Sequence, residues 1–115
     1  MKSLKGIQLG NYLGYSGKVV KVNGLTRKKI GFLREDGKTE TYAYLRDLSE
    51  VPILEEHLEW LRLQGDLEWT RLEGSRFCIA PSGTSNIYIL KYYHELQNIL
   101  ELHDIKLETY GKVDD

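Results

Sequence analysis

Histidine is the side chain best suited to act as base, acid or metal ligand near neutral pH, and this sequence has three, His57, His94 and His103. Their spacing argues against a shared site. His94 and His103 are nine residues apart in the last helical stretch, and at 3.6 residues per turn they point to opposite sides, so one ion cannot take both. His103 falls on that helix's apolar arc near its C-terminus, where the macrodipole favours a partly protonated imidazole in a structural role. His57 sits at the edge of a leucine stripe and reads the same way. The one cysteine, Cys78, gives too few thiolates for a zinc site and no intramolecular disulfide. Placed in a strand between Phe77 and Ile79, it is expected to be an inert thiol of raised pKa. The Ser82-Gly83-Thr84-Ser85 loop has hydroxyls, but neither the strand-to-helix elbow of a G-x-S-x-G nucleophile nor the Gly-Lys-Ser/Thr ending of a phosphate loop. No catalytic residue, metal site or cofactor is expected, and the chain reads as non-enzymatic.

Binding chemistry is better represented. Lys18 and Lys21 lie on one predicted hairpin, Arg27, Lys28 and Lys29 cluster in the next loop, and Tyr12, Tyr15, Tyr42 and Tyr44 stand in adjoining strands. Basic loops beside aromatic faces hold phosphates and stack bases in small barrels. Tyrosines at period two also serve as core or rim, and no RNP, KH or helix-turn-helix signature is present. A second polar group, His94, Gln97, Asn98 and Glu101, recurs at i, i+3, i+4 and i+7 and forms one stripe on the last helix. A third feature is apolar: Trp60 and Leu63 fall off the buried face of their helix, where they contact other parts of the chain or offer a partner an exposed spot.

The elements that must carry these residues follow from turn chemistry and periodicity. Asn11–Tyr15 and Lys18–Val22 flank Ser16-Gly17, a gap that suits a tight hairpin. Lys29–Arg34 and Thr39–Tyr44 form a second hairpin around Asp36-Gly37, a favoured type I′ pair. With a compact turn at Leu45–Leu48 and a last extended piece to Val51, residues 1–51 read as a small SH3-like barrel, or alternatively an open meander. Pro52 marks the boundary. From Leu54 to Gln64, Leu54, Leu58 and Leu61 share one helical face, and Gly65 is a natural stop. Strands are expected at 66–73, 76–80 and 86–91, joined by a two-residue Gly74-Ser75 turn and a Pro81–Ser85 loop. Phe77 with Ile79, and Ile87 with Ile89, are expected to share the buried side of that sheet. A final helix from Tyr92 to His103 places Tyr92, Leu96, Ile99, Leu100 and His103 on the arc that covers it. Val113–Asp115 is expected to fray. The fold class is α+β: a small barrel or meander, then an α-β-β-β-α sub-module over 52–115, packed together as one compact unit.

The chain has 115 residues, 41% hydrophobic and 29% charged, within the range of one ordinary domain. Net charge is −1, unevenly spread: residues 1–50 carry +5 and residues 51–115 carry −6. Such polarity steers a charged partner to one end or draws two copies together. No leader-like apolar region opens the chain, and no run approaches the roughly 18 apolar residues of a membrane span. A soluble cytoplasmic protein, with no membrane association, is the expectation.

Three blocks, Ile7-Gln-Leu-Gly-Asn11 with Tyr15-Ser-Gly-Lys18 and Lys21-Val22, Pro52-Ile-Leu-Glu-Glu-His-Leu58, and Lys91-Tyr-Tyr-His-Glu-Leu-Gln-Asn98, resemble a group of small uncharacterised proteins of Bacteroidetes and their phages and prophages. The last block is the most distinctive. The resemblance implies association with a mobile element and brings no activity with it. The chain departs from the group's pattern at Leu54, where a helix-capping Thr is usual, at His57, where Trp is usual, and at His103-Asp104, which replaces a capping Thr-Gly. The reading adopted from sequence is a non-enzymatic protein acting through protein–protein interaction or self-association. Its expected surface comprises Trp60, Leu63, His94, Gln97, Asn98 and Glu101. The alternative is a nucleic-acid-binding module using Lys18, Lys21, Arg27, Lys28 and Lys29.

Overall fold

The computed structural model describes residues 1–34 and 36–106; the expected fraying of Val113–Asp115 lies outside them. The chain divides into two units, Met1–Val51 and Pro52–Asp115. The class is α+β, with three small antiparallel sheets and two α-helices.

Unit 1 contains β1 (Tyr12–Tyr15), β2 (Lys18–Lys21), β3 (Gly24–Leu25), β4 (Lys29–Leu33), β5 (Glu40–Tyr44) and β6 (Leu48–Ser49), with a 3-10 turn at Leu45–Asp47. The strands form two sheets of order β2-β1-β6 and β3-β4-β5. Ser16 (φ 51°) and Gly17 (φ 76°) are both left-handed and set Tyr15 opposite Lys18, as a type I′ turn demands. Between β2 and β3 the chain keeps pairing. Val22 donates to the Asn11 carbonyl, its own carbonyl accepts from the Gly10 N–H, and the Asn23 N–H donates to the Gly31 carbonyl, all at 2.7–2.8 Å. One kinked run, residues 18–25, therefore serves both sheets. Among the described residues no pairing closes them into a barrel. The core is Ile7, Leu13, Val22, Ile30, Phe32, Ala43 and Leu48, with the Tyr15 ring 5.3 Å from that of Phe32.

The β4–β5 connection opens and closes at Arg34 and Thr39 as expected, but Asp36 lacks the positive φ that a type I′ turn at Asp36-Gly37 requires. Leu33 faces Glu40, and the Arg34 N–H donates to the Thr39 carbonyl at the mouth of the loop. Asp36 organises it. Its carboxylate accepts the N–H groups of Lys38 and Thr39 and the Thr39 hydroxyl at 2.6–2.8 Å. Such Asx bonding competes with the type I′ geometry that an Asp-Gly pair otherwise favours.

Unit 2 contains α1 (Glu55–Leu63), β7 (Leu67–Leu72), β8 (Arg76–Pro81), β9 (Tyr88–Leu90) and α2 (Tyr93–Leu102), with sheet order β7-β8-β9. Gly65, at φ 82°, ends α1: its N–H donates to Arg62 and that of Asp66 to Leu61, a Schellman motif. α1 packs on β7, where the Trp69 Nε1–H donates to Glu59 Oε2 at 3.2 Å and Arg71 pairs with Glu55. Three residues, Glu73-Gly74-Ser75, connect β7 and β8, since Leu72 faces Arg76; the turn is one residue longer than expected.

Two buried faces differ from the periodicity reading. Phe77, Ile79 and Pro81 are buried as a set, and the register pairs Phe77 with Leu90 and Ile79 with Tyr88. Ile87 and Ile89 therefore fall on the opposite face, 67% and 59% exposed. Strand alternation has only two phases, and Leu90 decides between them because it is the residue opposite Phe77. In α2 the buried positions are Tyr93, Leu96 and Leu100, at i, i+3 and i+7, together with His94. Tyr92 precedes the helix with extended backbone, and its N–H is taken by Glu95 Oε1 at 2.9 Å.

Candidate nucleic-acid interface

The outer face of β3-β4-β5 is set by parity. Ile30 and Phe32 of β4 and Ala43 of β5 point into the unit 1 core, so Lys29, Gly31, Glu40, Tyr42 and Tyr44 lie on the other side. Tyr42 and Tyr44 are 51% and 52% exposed. Two residues apart on one strand, they stand about 6.6 Å from each other along it. Each carries a cation at its ring: Lys29 Nζ lies 4.7 Å from the Tyr42 centroid and Arg46 Cζ lies 5.4 Å from that of Tyr44.

A clamped loop extends this basic edge. Thr26 closes the β3–β4 turn: its N–H and hydroxyl donate to the Lys29 carbonyl at 3.0 and 3.1 Å, and its hydroxyl accepts the Lys29 N–H at 3.2 Å. Arg27 and Lys28 are exposed between these anchors. The Leu45 N–H donates to the Lys28 carbonyl at 2.9 Å, which fastens the loop beside the Tyr44–Arg46 end of β5. From one end to the other the face therefore presents Arg27 and Lys28, then Tyr44 with Arg46, then Tyr42 with Lys29, then Glu40.

This geometry can stack two planar groups and neutralise phosphates beside them. An exposed cation–π contact is worth about 0.5–1 kcal/mol, and stacking a base on an aromatic ring about 1–3 kcal/mol. A base can therefore displace Lys29 or Arg46 from its ring, and the released cation then stands beside the phosphate. The exposed Arg46–Asp47 pair, at 3.9 Å, is too weak a competitor to withhold Arg46.

Of the residues singled out from sequence, Arg27, Lys28 and Lys29 come together here with Tyr42 and Tyr44. Lys18 and Lys21 are exposed on the separate β1–β2 hairpin. Tyr15 belongs to the core. Arg46, Glu40 and the Gly24–Gly31 pair were missed in the sequence reading, although the alternation of Thr39–Tyr44 around inward Ala43 carries the signal for Glu40.

The other candidates are more dispersed. Leu63 is 69% exposed, whereas Trp60 is half-buried. His94, expected on a solvated stripe, is buried and stacks on Tyr92 at 6.1 Å; Gln97 and Asn98 are half-buried, and Glu101 is exposed. His57 is fully buried, with Nδ1 3.0 Å from the Tyr93 hydroxyl, and burial holds its pKa below the ordinary value. His103 Nε2 lies 2.9 Å from the Tyr88 hydroxyl. Cys78, expected among apolar neighbours, is half-exposed on the outer face of β8, opposite Ile89. Among the described residues no group of three or more His, Cys, Asp or Glu is placed to hold a metal ion, and no helix is long and apolar enough to cross a membrane. An open groove of about 460 Å³ in unit 2 is lined by Pro52, Ile53, Glu55, Arg71 and Phe77. Its two charges neutralise each other through the Glu55–Arg71 pair.

Comparison of the chain with protein-family models, curated proteins and solved structures gave no match.

Proposed function

We propose that this chain is a non-enzymatic cytoplasmic binding protein and that its ligand on unit 1 is single-stranded nucleic acid. The observation that carries the reading is the exposed Tyr42–Tyr44 pair, each ring capped by a cation, beside the loop that holds Arg27 and Lys28. Aromatic platforms next to basic loops bind single strands with little sequence preference, because every base has a π face and every nucleotide a phosphate. The +5 charge of residues 1–50 favours the same ligand. An SH3-like barrel relationship for unit 1 belongs to this proposal, supported by the kinked run that serves both sheets and by the return of β6 to β1. A mobile-element origin, implied by the resemblance, accommodates a nucleic-acid-binding role. The non-enzymatic reading is supported by His57 and His103, each hydrogen-bonded to a tyrosine.

The test is fluorescence anisotropy with a labelled oligothymidylate of about eight nucleotides, within the site size of small binding folds, at low salt. Binding by the wild-type protein, strongly weakened when Arg27, Lys28 and Lys29 are changed together to Ala, is the expected result. A wild-type protein that leaves the oligomer's anisotropy unchanged removes the proposal.

A second reading, a protein partner, has its own observation: Leu63, Ile87 and Ile89 are exposed in unit 2, Ile89 in the edge strand β9 and Ile87 just before it. Edge strands of this kind pair with extended segments of other chains. The predicted result is that Ile89→Lys releases a co-purifying protein or shifts the elution volume; an unchanged profile counts against it.

A further inference from the structure

We infer that the platform also reads one base, and that the nucleotide stacked on Tyr42 is a guanine recognised by Glu40; this rests on the single-stranded nucleic-acid reading of the same face. Gly24 and Gly31 stand directly opposite each other in β3 and β4, and Gly31 is in turn opposite Tyr42. Two facing glycines leave a window without side chains in the middle of the outer face. The Glu40 carboxylate fills it. Its Oε1 lies 2.5 Å from where a Cβ on Gly31 would stand and 3.2 Å from the equivalent point on Gly24. Tyr42 Cε1 is 3.2 Å from that same Gly31 point, so the carboxylate oxygen and the ring edge are neighbours. Neither glycine has positive φ, so backbone conformation does not require them; the space they leave does. Among the described residues no ion pair engages Glu40, and the side chain is exposed.

A base lying on Tyr42 meets this carboxylate with its edge. An ionised carboxylate only accepts hydrogen bonds, through two oxygens side by side. Guanine alone presents two adjacent donors on its Watson–Crick edge, N1–H and the N2 amino group. Cytosine and adenine each place a ring acceptor beside their amino group, and thymine or uracil flanks its single N–H with two carbonyls, all of which a carboxylate repels. Arg27, Lys28 and Arg46 at the Tyr44 end, and Lys29 once a base displaces it from the Tyr42 ring, take the phosphates, so the carboxylate at the edge of Tyr42 costs affinity for every base except the one that can donate to it. Sequence preference thus arises partly by rejection.

The experiment compares three oligomers by anisotropy: oligothymidylate, the same oligomer with one central guanine, and the same with hypoxanthine, which keeps N1–H and lacks the N2 amino group. DNA and RNA versions run in parallel, since base face, base edge and phosphate are common to both and the tighter version identifies the source. The wild-type protein is expected to prefer the guanine oligomer to oligothymidylate by about tenfold, the discrimination of one good bidentate contact, with hypoxanthine between. Glu40→Gln should bind all three within about twofold of one another, because one accepting oxygen is replaced by an amino group and the charge is lost with it. Gly31→Ala provides a second route to the same loss, since its methyl occupies the carboxylate's place; Tyr42 Cε1, 3.2 Å from that point, has to give by only a few tenths of an ångström, so binding to oligothymidylate should persist. Equal affinity of the wild-type protein for guanine and thymine oligomers overturns this inference while leaving the platform intact. Absence of binding to every oligomer overturns both.

Discussion

Tyr42 and Tyr44 owe their exposure to the small side chain between them. Ala43 is buried, and its neighbours on β5 must turn outward. Replacing either tyrosine by Ala is predicted to weaken oligonucleotide binding by about 1–3 kcal/mol while leaving the urea midpoint nearly unchanged, as both rings are half in solvent. Loss of stability in place of affinity would make them structural. Asp36 answers to pH. Three hydrogen bonds from Thr39 and Lys38, the Thr39 hydroxyl foremost, lower its carboxyl from 3.8 to about 2. Its contribution to stability is present above pH 3.8 and is lost as pH falls through about 2. A carboxyl-carbon NMR titration should place its midpoint near 2; an ordinary value would mean that the loop is not closed as described. His57 runs the same way for the opposite charge. Burial lowers its pKa from 6.5, so the unfolded chain binds the proton first. Stability from the neutral ring is complete above pH 6.5 and declines as pH drops towards the lowered value. His57→Gln should flatten the slope of urea midpoint against pH between about 7 and 5. An unchanged slope would show that His57 is not the group responsible.

Among the elements, both helix ends close with the same bond pattern and different residues. α1 uses Gly65. α2 uses Asp104 at φ 59°, with the Asp104 N–H donating to Glu101 and that of Ile105 to Leu100. A left-handed residue with a Cβ carries a steric cost that glycine avoids. Asp104→Gly is therefore predicted to raise stability by about 0.5–1 kcal/mol, read as a higher urea midpoint; a decrease would mean that the Asp104 side chain holds the cap. Turns and strands with strong local signals were legible in the sequence. Ser16-Gly17, Gly65 and the strands around Phe77 and Ile79 stand where local rules place them. The misread elements share a different cause. Ile87 and Ile89 alternate as well as Tyr88 and Leu90 do, and only pairing with β8, which puts Leu90 opposite Phe77, selects the buried phase. Tyr93 outranks Tyr92 in α2 because the chain stays extended until Tyr92, where an isolated bridge to Pro52 holds it. Asp36 traded a favoured turn type for its own hydrogen bonds. Of the candidate site, the basic loop and both tyrosines could be named from sequence, but their convergence, the place of Arg46 and the glycine window depend on cross-strand register.

At the scale of the whole molecule the charge division bears on the proposed ligand. Residues 1–50 carry +5 and residues 51–115 carry −6, so attraction to a polyanion belongs to the first unit and repulsion to the second. If Arg27, Lys28, Lys29 and Arg46 each neutralise one phosphate, the logarithm of affinity should fall with the logarithm of salt at a slope of about −2 to −3 for a single strand. Changing Arg27, Lys28 and Lys29 to Ala should reduce that slope by about 2. A flat salt response would remove phosphate contact from the account. In unit 2 several polar groups are committed to internal bonds: His57 to Tyr93, His103 to Tyr88, Glu59 to Arg62 and Trp69, and Glu55 to Arg71. The ligand surface proposed on unit 1 is the Tyr42–Tyr44 face, and amide chemical-shift mapping with oligothymidylate tests it directly. Shifts concentrated at residues 24–31 and 40–46 are predicted. Shifts gathered instead around Leu63 or Ile87, or none at all, would contradict it.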